Sequence, residues 1–117
     1  MIGINDLIGE RGFTQIMADY ERLVSAIKEK SPITKLYIQS ILPVNNAQDS
    51  PKASSIMAVN EGLISLSKKH RVTFVNLFDL LKTTNNKLDE AYSFDGLHLN
   101  GKGYLVWKKA IEDFVNN

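Results

Sequence analysis

Amphipathic helical stretches alternate along this chain with short apolar runs. The first stretch spaces its apolar residues three and four positions apart, which places them on one helix face. These residues are Phe13, Ile16, Met17, Tyr20, Leu23, Val24 and Ile27. Strands separated by helices of this length imply right-handed crossovers and a parallel sheet with helices on both faces. The alternation therefore predicts an α/β fold.

Two apolar runs are short enough to be buried strands. Leu36–Leu42 ends at Pro43, and Val72–Leu77 is β-branched and apolar. A parallel sheet normally has more than two strands. The sequence therefore predicts a three-layer α/β/α sandwich with a mainly parallel, flavodoxin-like sheet, whose N-terminal strands are expected upstream of Met1.

The remaining helices are predicted from their caps and their apolar stripes. One helix begins at Pro51, with Ser50 as its N-cap, and extends to about His70. Its inward stripe is Ile56, Val59, Asn60, Leu63, Ile64 and Ser67. Asn100 is the predicted N-cap of a last helix, whose apolar positions include Tyr104, Trp107, Ala110 and Ile111.

Composition limits the function classes. A chain of 117 residues that is 44% hydrophobic is long enough for one domain, taken as residues 1–117. A net charge of +1 gives no electrostatic reason to expect a nucleic-acid partner. The absence of cysteine excludes a thiolate metal site and a cysteine nucleophile. No apolar stretch approaches the roughly 20 residues that span a bilayer.

The first candidate site is the run Asp95-Gly-Leu-His98. Histidine is suited to general-base chemistry near neutral pH, and such a base needs an acceptor on its other ring nitrogen. A carboxylate three residues upstream on a tight turn can reach that nitrogen, and Gly96 permits the turn. The alternative interpretation is structural, with Asp95 capping a turn and His98 half-buried and hydrogen-bonded.

A metal site is not predicted. His70 is the only other histidine, and it lies beside Lys68, Lys69 and Arg71 at the far end of a helix. A metal centre would need a third and a fourth ligand near His98.

The second candidate site is the run Gly3-Ile-Asn5-Asp6. A strand that ends in a Gly-x-Asn turn can present the Asn5 amide as a neutral donor to a developing oxyanion. The alternative is an ordinary turn in which Asn5 and Asp6 bond their own backbone.

Together these motifs resemble the SGNH hydrolase superfamily, also called GDSL-type lipases and acylhydrolases. The resemblance runs from Gly3-Ile-Asn5-Asp6 through Ile41-Leu-Pro43-Val44 to Asp95-Gly-Leu-His98-Leu-Asn and Gly103-Tyr104-x-x-Trp107. It covers the whole chain, from the family's third block to its fifth. It implies serine attack on an ester, without a metal or an organic cofactor.

The resemblance also implies a role for each matched residue. Asn5 matches the oxyanion-hole asparagine, and Gly3 matches the glycine of its turn. His98 matches the catalytic base, and Asp95 matches the acid that orients it.

The sequence departs from the family at the nucleophile. It has no Gly-Asp-Ser motif, no match to the second-block glycine, and no Gly-x-Ser-x-Gly elbow. Both missing blocks are expected upstream of Met1. Among the serines present, Ser40 is interpreted as a packed small residue in a strand, and Ser93 shares a loop with the base. The others considered lie on a predicted helix: Ser54, Ser55, Ser65 and Ser67.

Three functions remain open at this point. The first is a serine ester hydrolase acting on small acyl esters of carbohydrates or lipids, with its nucleophile upstream. The second is a catalytically inactive scaffold that binds a partner or itself. An exposed sheet edge would then favour a homodimer or an N-terminal companion fragment. The third, a generic flavodoxin-like or receiver-like domain, lacks the phosphate-binding glycines or acidic cluster that it would need.

Overall fold

The computed structural model describes residues 12–33, 35–45 and 52–115. Four helices alternate with two strands in this part of the chain, and a single 3₁₀ turn precedes the last helix. In chain order they are α1 (Phe13–Lys30), β1 (Tyr37–Gln39), α2 (Ala53–His70), β2 (Thr73–Val75), α3 (Phe78–Leu81), the 3₁₀ turn Glu90–Tyr92 and α4 (Gly101–Val115).

The two described strands are parallel neighbours. Their register pairs Tyr37 with Thr73, Ile38 with Phe74 and Gln39 with Val75. Both strands are shorter than the apolar runs that predicted them, because only three residues of each run pair with the neighbouring strand. Past Gln39, the amide of Ser40 still donates to the carbonyl of Val75 over 2.9 Å, and the chain then leaves the sheet.

Side chains alternate between the two faces of this sheet, and each face has its own core. Ile38 and the half-buried Phe74 pack with α1 and α2, in a cluster that includes Ile16, Val24, Ile56, Val59 and Leu63. Val75 and the half-buried Tyr37 pack on the opposite face, with Leu77, Leu81, Leu88, Trp107 and Ala110. Helices on both faces of a parallel sheet confirm the predicted α/β/α layering.

Two buried polar side chains fix how the strands leave the sheet. Asn60 on α2 accepts from the Ile41 amide at 2.7 Å and donates to the Ile41 carbonyl at 3.1 Å. Ser40 Oγ accepts the amides of Leu77 and Phe78, each over 2.9 Å, at the start of α3. Ser40 is fully buried, as expected of a packed small residue, and its hydroxyl also joins the end of β1 to the start of α3.

The helix predictions hold with specific exceptions. Helix α1 buries Ile16, Tyr20 and Val24, whereas Phe13 and Leu23 on the predicted stripe are half exposed. Helix α2 ends at His70 as predicted and buries all of its predicted stripe except Ile64, which is partly exposed, while Leu66 is buried in addition. The predicted cap Ser50 and the predicted first residue Pro51 lie outside the described residues.

A small polar cluster joins the middle of α1 to the C-terminal end of α2. His70 Nε2 lies 2.9 Å from Glu21 Oε1, and Lys69 Nζ lies 3.1 Å from the same oxygen. Hydrogen bonds from Lys69 and His70 hold the pKa of Glu21 below its usual value. His70 therefore contributes to helix packing. Within the described ranges, no helix is long and apolar enough to cross a membrane.

Candidate active site

Asp95 and His98 lie on one tight turn between the 3₁₀ turn and α4. Gly96 has a φ of 77°, a left-handed conformation that side chains disfavour. This value confirms that a glycine is needed within the Asp95-Gly-Leu-His98 turn. The turn is closed by an antiparallel bridge between Ser93 and Leu99, so that both of its ends are fixed in space.

The two side chains meet directly. His98 Nδ1 lies 2.7 Å from Asp95 Oδ2. An ionised carboxylate only accepts hydrogen bonds, so Nδ1 carries a proton, and in the neutral imidazole Nε2 then keeps its lone pair. An imidazole in this state is oriented to remove a proton with Nε2.

Hydrogen bonds hold the Asp95 carboxylate in its ionised form. Asp95 Oδ1 accepts the backbone amide of His98 at 2.7 Å and that of Leu97 at 2.8 Å. The His98 amide, the His98 ring and the Leu97 amide together hold the pKa of Asp95 well below its usual range. The carboxylate is therefore charged at neutral pH.

The helix that follows anchors the turn. Asn100 Oδ1 accepts the amide of Gly103 at 2.9 Å, which confirms the predicted N-cap of α4. The same side chain donates to the carbonyl of Ala91 at 3.0 Å, and the Asn100 amide donates to the carbonyl of Tyr92 at 2.8 Å. Asn100 thus ties the start of α4 to the 3₁₀ turn on the other side of the site.

The segment after β1 provides a second anchor. The amide of Asn45 donates to the carbonyl of Gly96 over 2.7 Å. On α4, Trp107 Nε1 donates to Gln39 Oε1 at 3.1 Å, which connects this helix to β1. Tyr104, one of the apolar positions that predicted α4, is 59% exposed and packs edge-on against Trp107.

Two recesses flank the turn. The first, of about 390 Å³, is largely apolar: Gln39, Leu42, Leu97, His98, Leu99, Tyr104 and Trp107 line it. The second, of about 400 Å³, is more polar: Asn45, Leu88, Glu90, Ser93, Phe94, Asp95 and Gly96 line it. His98 therefore opens onto a largely apolar recess, and Asp95 onto a more polar one.

Among the described residues, no serine hydroxyl is hydrogen-bonded to the His98 ring. Ser93 Oγ binds the backbone of the turn, Ser40 Oγ binds the start of α3, and Ser67 Oγ donates to the Leu63 carbonyl. Ser54, Ser55 and Ser65 are exposed on α2. The His98 side chain itself is 78% exposed, so its Nε2 face is open within this part of the chain.

The structure brings together two of the four predicted site residues. His98 and Asp95 form a hydrogen-bonded pair, as their spacing predicts. Asn5 and Gly3 lie outside the described residues. In the described part of the chain, no three potential metal ligands converge.

Sequence reasoning missed the structural part that Ser93 plays at this site. Its hydroxyl hydrogen-bonds the Gly96 amide and the His98 carbonyl, and it lies 3.3 Å from Asp95 Oδ1. The only sign of this in the sequence is that Ser93 lies two positions before Asp95. That position does not show whether the hydroxyl is hydrogen-bonded or free.

Comparisons with known proteins identify the family and the fold of this chain. The family model described as the GDSL-like lipase/acylhydrolase family matches residues 1–106. A solved structure from Streptococcus pneumonia, described as a candidate platelet activating factor, is 27% identical with a TM-score of 0.90, and the match covers 97% of this chain and 56% of that one. A GDSL-like lipase from Bacteroides thetaiotaomicron is 20% identical with a TM-score of 0.87, covering 97% of this chain and 58% of the lipase.

A curated relative adds a sequence match. An N-acylneuraminate cytidylyltransferase of Escherichia coli O18:K1:H7 is 29% identical over 91 residues, which are 76% of this chain and 20% of the relative. The chain thus spans little more than half the length of the two solved structures and a fifth of this relative. Because the family model matches most of the chain, including Asp95 and His98, this chain belongs to the GDSL-like lipase/acylhydrolase family.

Proposed function

We propose that this chain supplies the base and the acid of a serine ester hydrolase, and that the nucleophilic serine belongs to polypeptide outside this sequence. The observation that carries the proposal is the Asp95–His98 pair, with 2.7 Å between Oδ2 and Nδ1 and an open Nε2. The substrate class, small acyl esters of carbohydrates or lipids, rests on the family resemblance.

The first step of the proposed reaction is attack by the serine, with His98 Nε2 as the proton acceptor. His98 Nε2 removes the proton of the serine hydroxyl as the serine oxygen bonds to the acyl carbon. Asp95 stabilises the imidazolium that forms. The Asn5 amide would donate to the tetrahedral oxyanion, the role implied for it by its motif.

Collapse of the intermediate completes the first half of the reaction. The bond to the alcohol breaks, and the imidazolium gives its proton to the leaving oxygen. A water molecule then attacks the acyl-serine while His98 Nε2 takes its proton. The acid leaves, and the serine regains its hydrogen from the ring.

A serine from elsewhere is favoured because no described serine hydroxyl is hydrogen-bonded to the His98 ring. The Ser93 hydroxyl lies 2.6 Å from the His98 carbonyl oxygen and accepts the Gly96 amide. Those bonds hold it to the backbone of the turn, away from the role of a free nucleophile.

The test is a chimera in which this chain replaces the matched part of the Bacteroides lipase. The remainder of the lipase would supply the nucleophile to His98. We expect the chimera to hydrolyse p-nitrophenyl acetate, and His98→Ala to remove that activity at an unchanged melting temperature. The isolated chain should show no turnover above its own His98→Ala variant.

A folded chimera whose turnover survives His98→Ala would contradict the proposal, and so would His98-dependent turnover by the isolated chain. Circular dichroism establishes that the chimera is folded. The solution mass of the isolated chain tests the homodimer that the sequence also predicts, because a monomer would leave a companion segment as the only proposed partner.

A further inference from the structure

We infer that Ser93 is a positioning residue, whose hydroxyl sets the geometry of the Asp95–His98 pair. The inference deepens the proposed function and rests on it, since positioning matters to a reaction only if His98 acts as the base.

One oxygen holds the middle and the end of the turn. Ser93 Oγ accepts the amide of Gly96 at 2.9 Å and lies 2.6 Å from the carbonyl oxygen of His98. It also lies 3.3 Å from Asp95 Oδ1. The hydroxyl has a single hydrogen, and the shorter distance directs it to the His98 carbonyl.

The catalytic pair depends on such bonds because packing does little to hold it. The His98 side chain is 78% exposed and that of Asp95 is 53% exposed. Exposed side chains keep a fixed geometry only if hydrogen bonds exclude their other rotamers. Ser93 itself is buried, at 8% exposure, and the bridge to Leu99 fixes its backbone.

Ser93 acts on the pair through the backbone. Asp95 Oδ1 accepts the amides of Leu97 and His98, so its position depends on where those two amides point. Ser93 holds the residues on either side of Leu97, through the amide of Gly96 and the carbonyl of His98. Without the hydroxyl, the turn keeps its bridge to Leu99 but loses the bonds that aim its amides at the carboxylate.

The test compares Ser93→Ala with Ser93→Thr, which keeps a hydroxyl, and with Ser65→Ala on the exposed face of α2 as a matched control. Two readouts use the isolated chain. The ¹⁵N shifts of the His98 ring at alkaline pH report the tautomer, and amide exchange at Gly96 reports its bond to Ser93 Oγ.

We expect Ser93→Ala to shift His98 from the Nδ1–H form towards a mixture of tautomers. Exchange at Gly96 should become about two- to tenfold faster, the equivalent of one ordinary hydrogen bond. Amide shifts of α1 and α2 should stay unchanged. Ser93→Thr should restore the tautomer, and Ser65→Ala should leave both readouts at the native values.

An unchanged tautomer and unchanged Gly96 exchange in Ser93→Ala would overturn the inference, even in an active chimera. Global loss of amide dispersion in Ser93→Ala would overturn it as well, because the residue would then be needed for folding as a whole. Neither readout needs turnover, so an inactive chimera would count against the proposed function alone.

Discussion

His98 Nδ1 donates to Asp95 Oδ2 over 2.7 Å, between residues that are three positions apart on the same turn. The second oxygen of the carboxylate is used differently, because it accepts the backbone amides of Leu97 and His98. One oxygen thus orients the ring while the other is bound to the turn that carries the ring. A change at Asp95 should therefore disturb both the orientation of the His98 ring and the turn that carries it.

Asp95→Asn should inactivate the base while leaving the fold in place. An amide can donate to Nδ1, which moves the ring proton to Nε2 and removes the lone pair that the reaction needs. In the chimera we expect kcat to fall by about 10²- to 10⁴-fold, the usual contribution of a general base, with little change in KM. Glu112→Gln on the exposed face of α4 is the matched control. A kcat within a few-fold of the unmodified chimera would show that Asp95 does not set the tautomer.

Asp95 should also make stability depend on acid pH. The pKa of this carboxyl is depressed in the folded chain, so between that value and the unfolded value of about 3.9 the unfolded state binds more protons. Its contribution to stability is therefore complete above about pH 5 and declines as the pH falls below that. Urea unfolding at a series of pH values measures this loss.

The Asp95→Asn variant separates Asp95 from the other carboxylates. Glu21 also has a lowered pKa and loses its contribution in the same direction. The stability difference between the unmodified chain and Asp95→Asn should therefore shrink as the pH falls towards about 2. A difference that stays constant across this range would contradict the depressed pKa of Asp95.

Two glycines at the start of α4 should respond oppositely to alanine. A Cβ at Gly103 would lie 2.7 Å from the carbonyl oxygen of Tyr92 and 3.0 Å from Leu99, whereas one at Gly101 would meet nothing within 4 Å. Gly103→Ala must push α4 away from the 3₁₀ turn, so we expect it to cost about 1–3 kcal/mol of the free energy of unfolding. Gly101→Ala should be neutral or stabilise by up to about 1 kcal/mol. Equal effects of the two variants in urea unfolding would contradict this close approach.

The layered α/β order was predictable because it depends on local periodicity. The stripe of α2 shows this, since Ile56, Val59 and Leu63 are buried where a 3.6-residue repeat places them. The Asp95–His98 contact was predictable for a related reason. A tight turn allows few conformations, and only glycine readily takes the φ of 77° found at position 96.

The features that sequence reasoning missed depend on contacts between distant segments. Ser40 accepts amides that lie 37 and 38 positions away, so its strand position could not reveal its bonds. The exposure of Tyr104 reflects where α4 rests against β1, with Trp107 bonded to Gln39. The short helix Phe78–Leu81 was missed because four residues carry too little periodicity.

The central claim is that His98 activates a serine that this chain does not itself contain. Intact mass spectrometry after treatment with a fluorophosphonate tests it directly, because an activated serine oxygen bonds to phosphorus as fluoride leaves. We predict one adduct on the chimera, assigned by peptide mapping to the part taken from the lipase and lost in His98→Ala, and no adduct on the isolated 117-residue chain. An adduct on a serine of the isolated chain, or one on the chimera that persists in His98→Ala, would contradict the account.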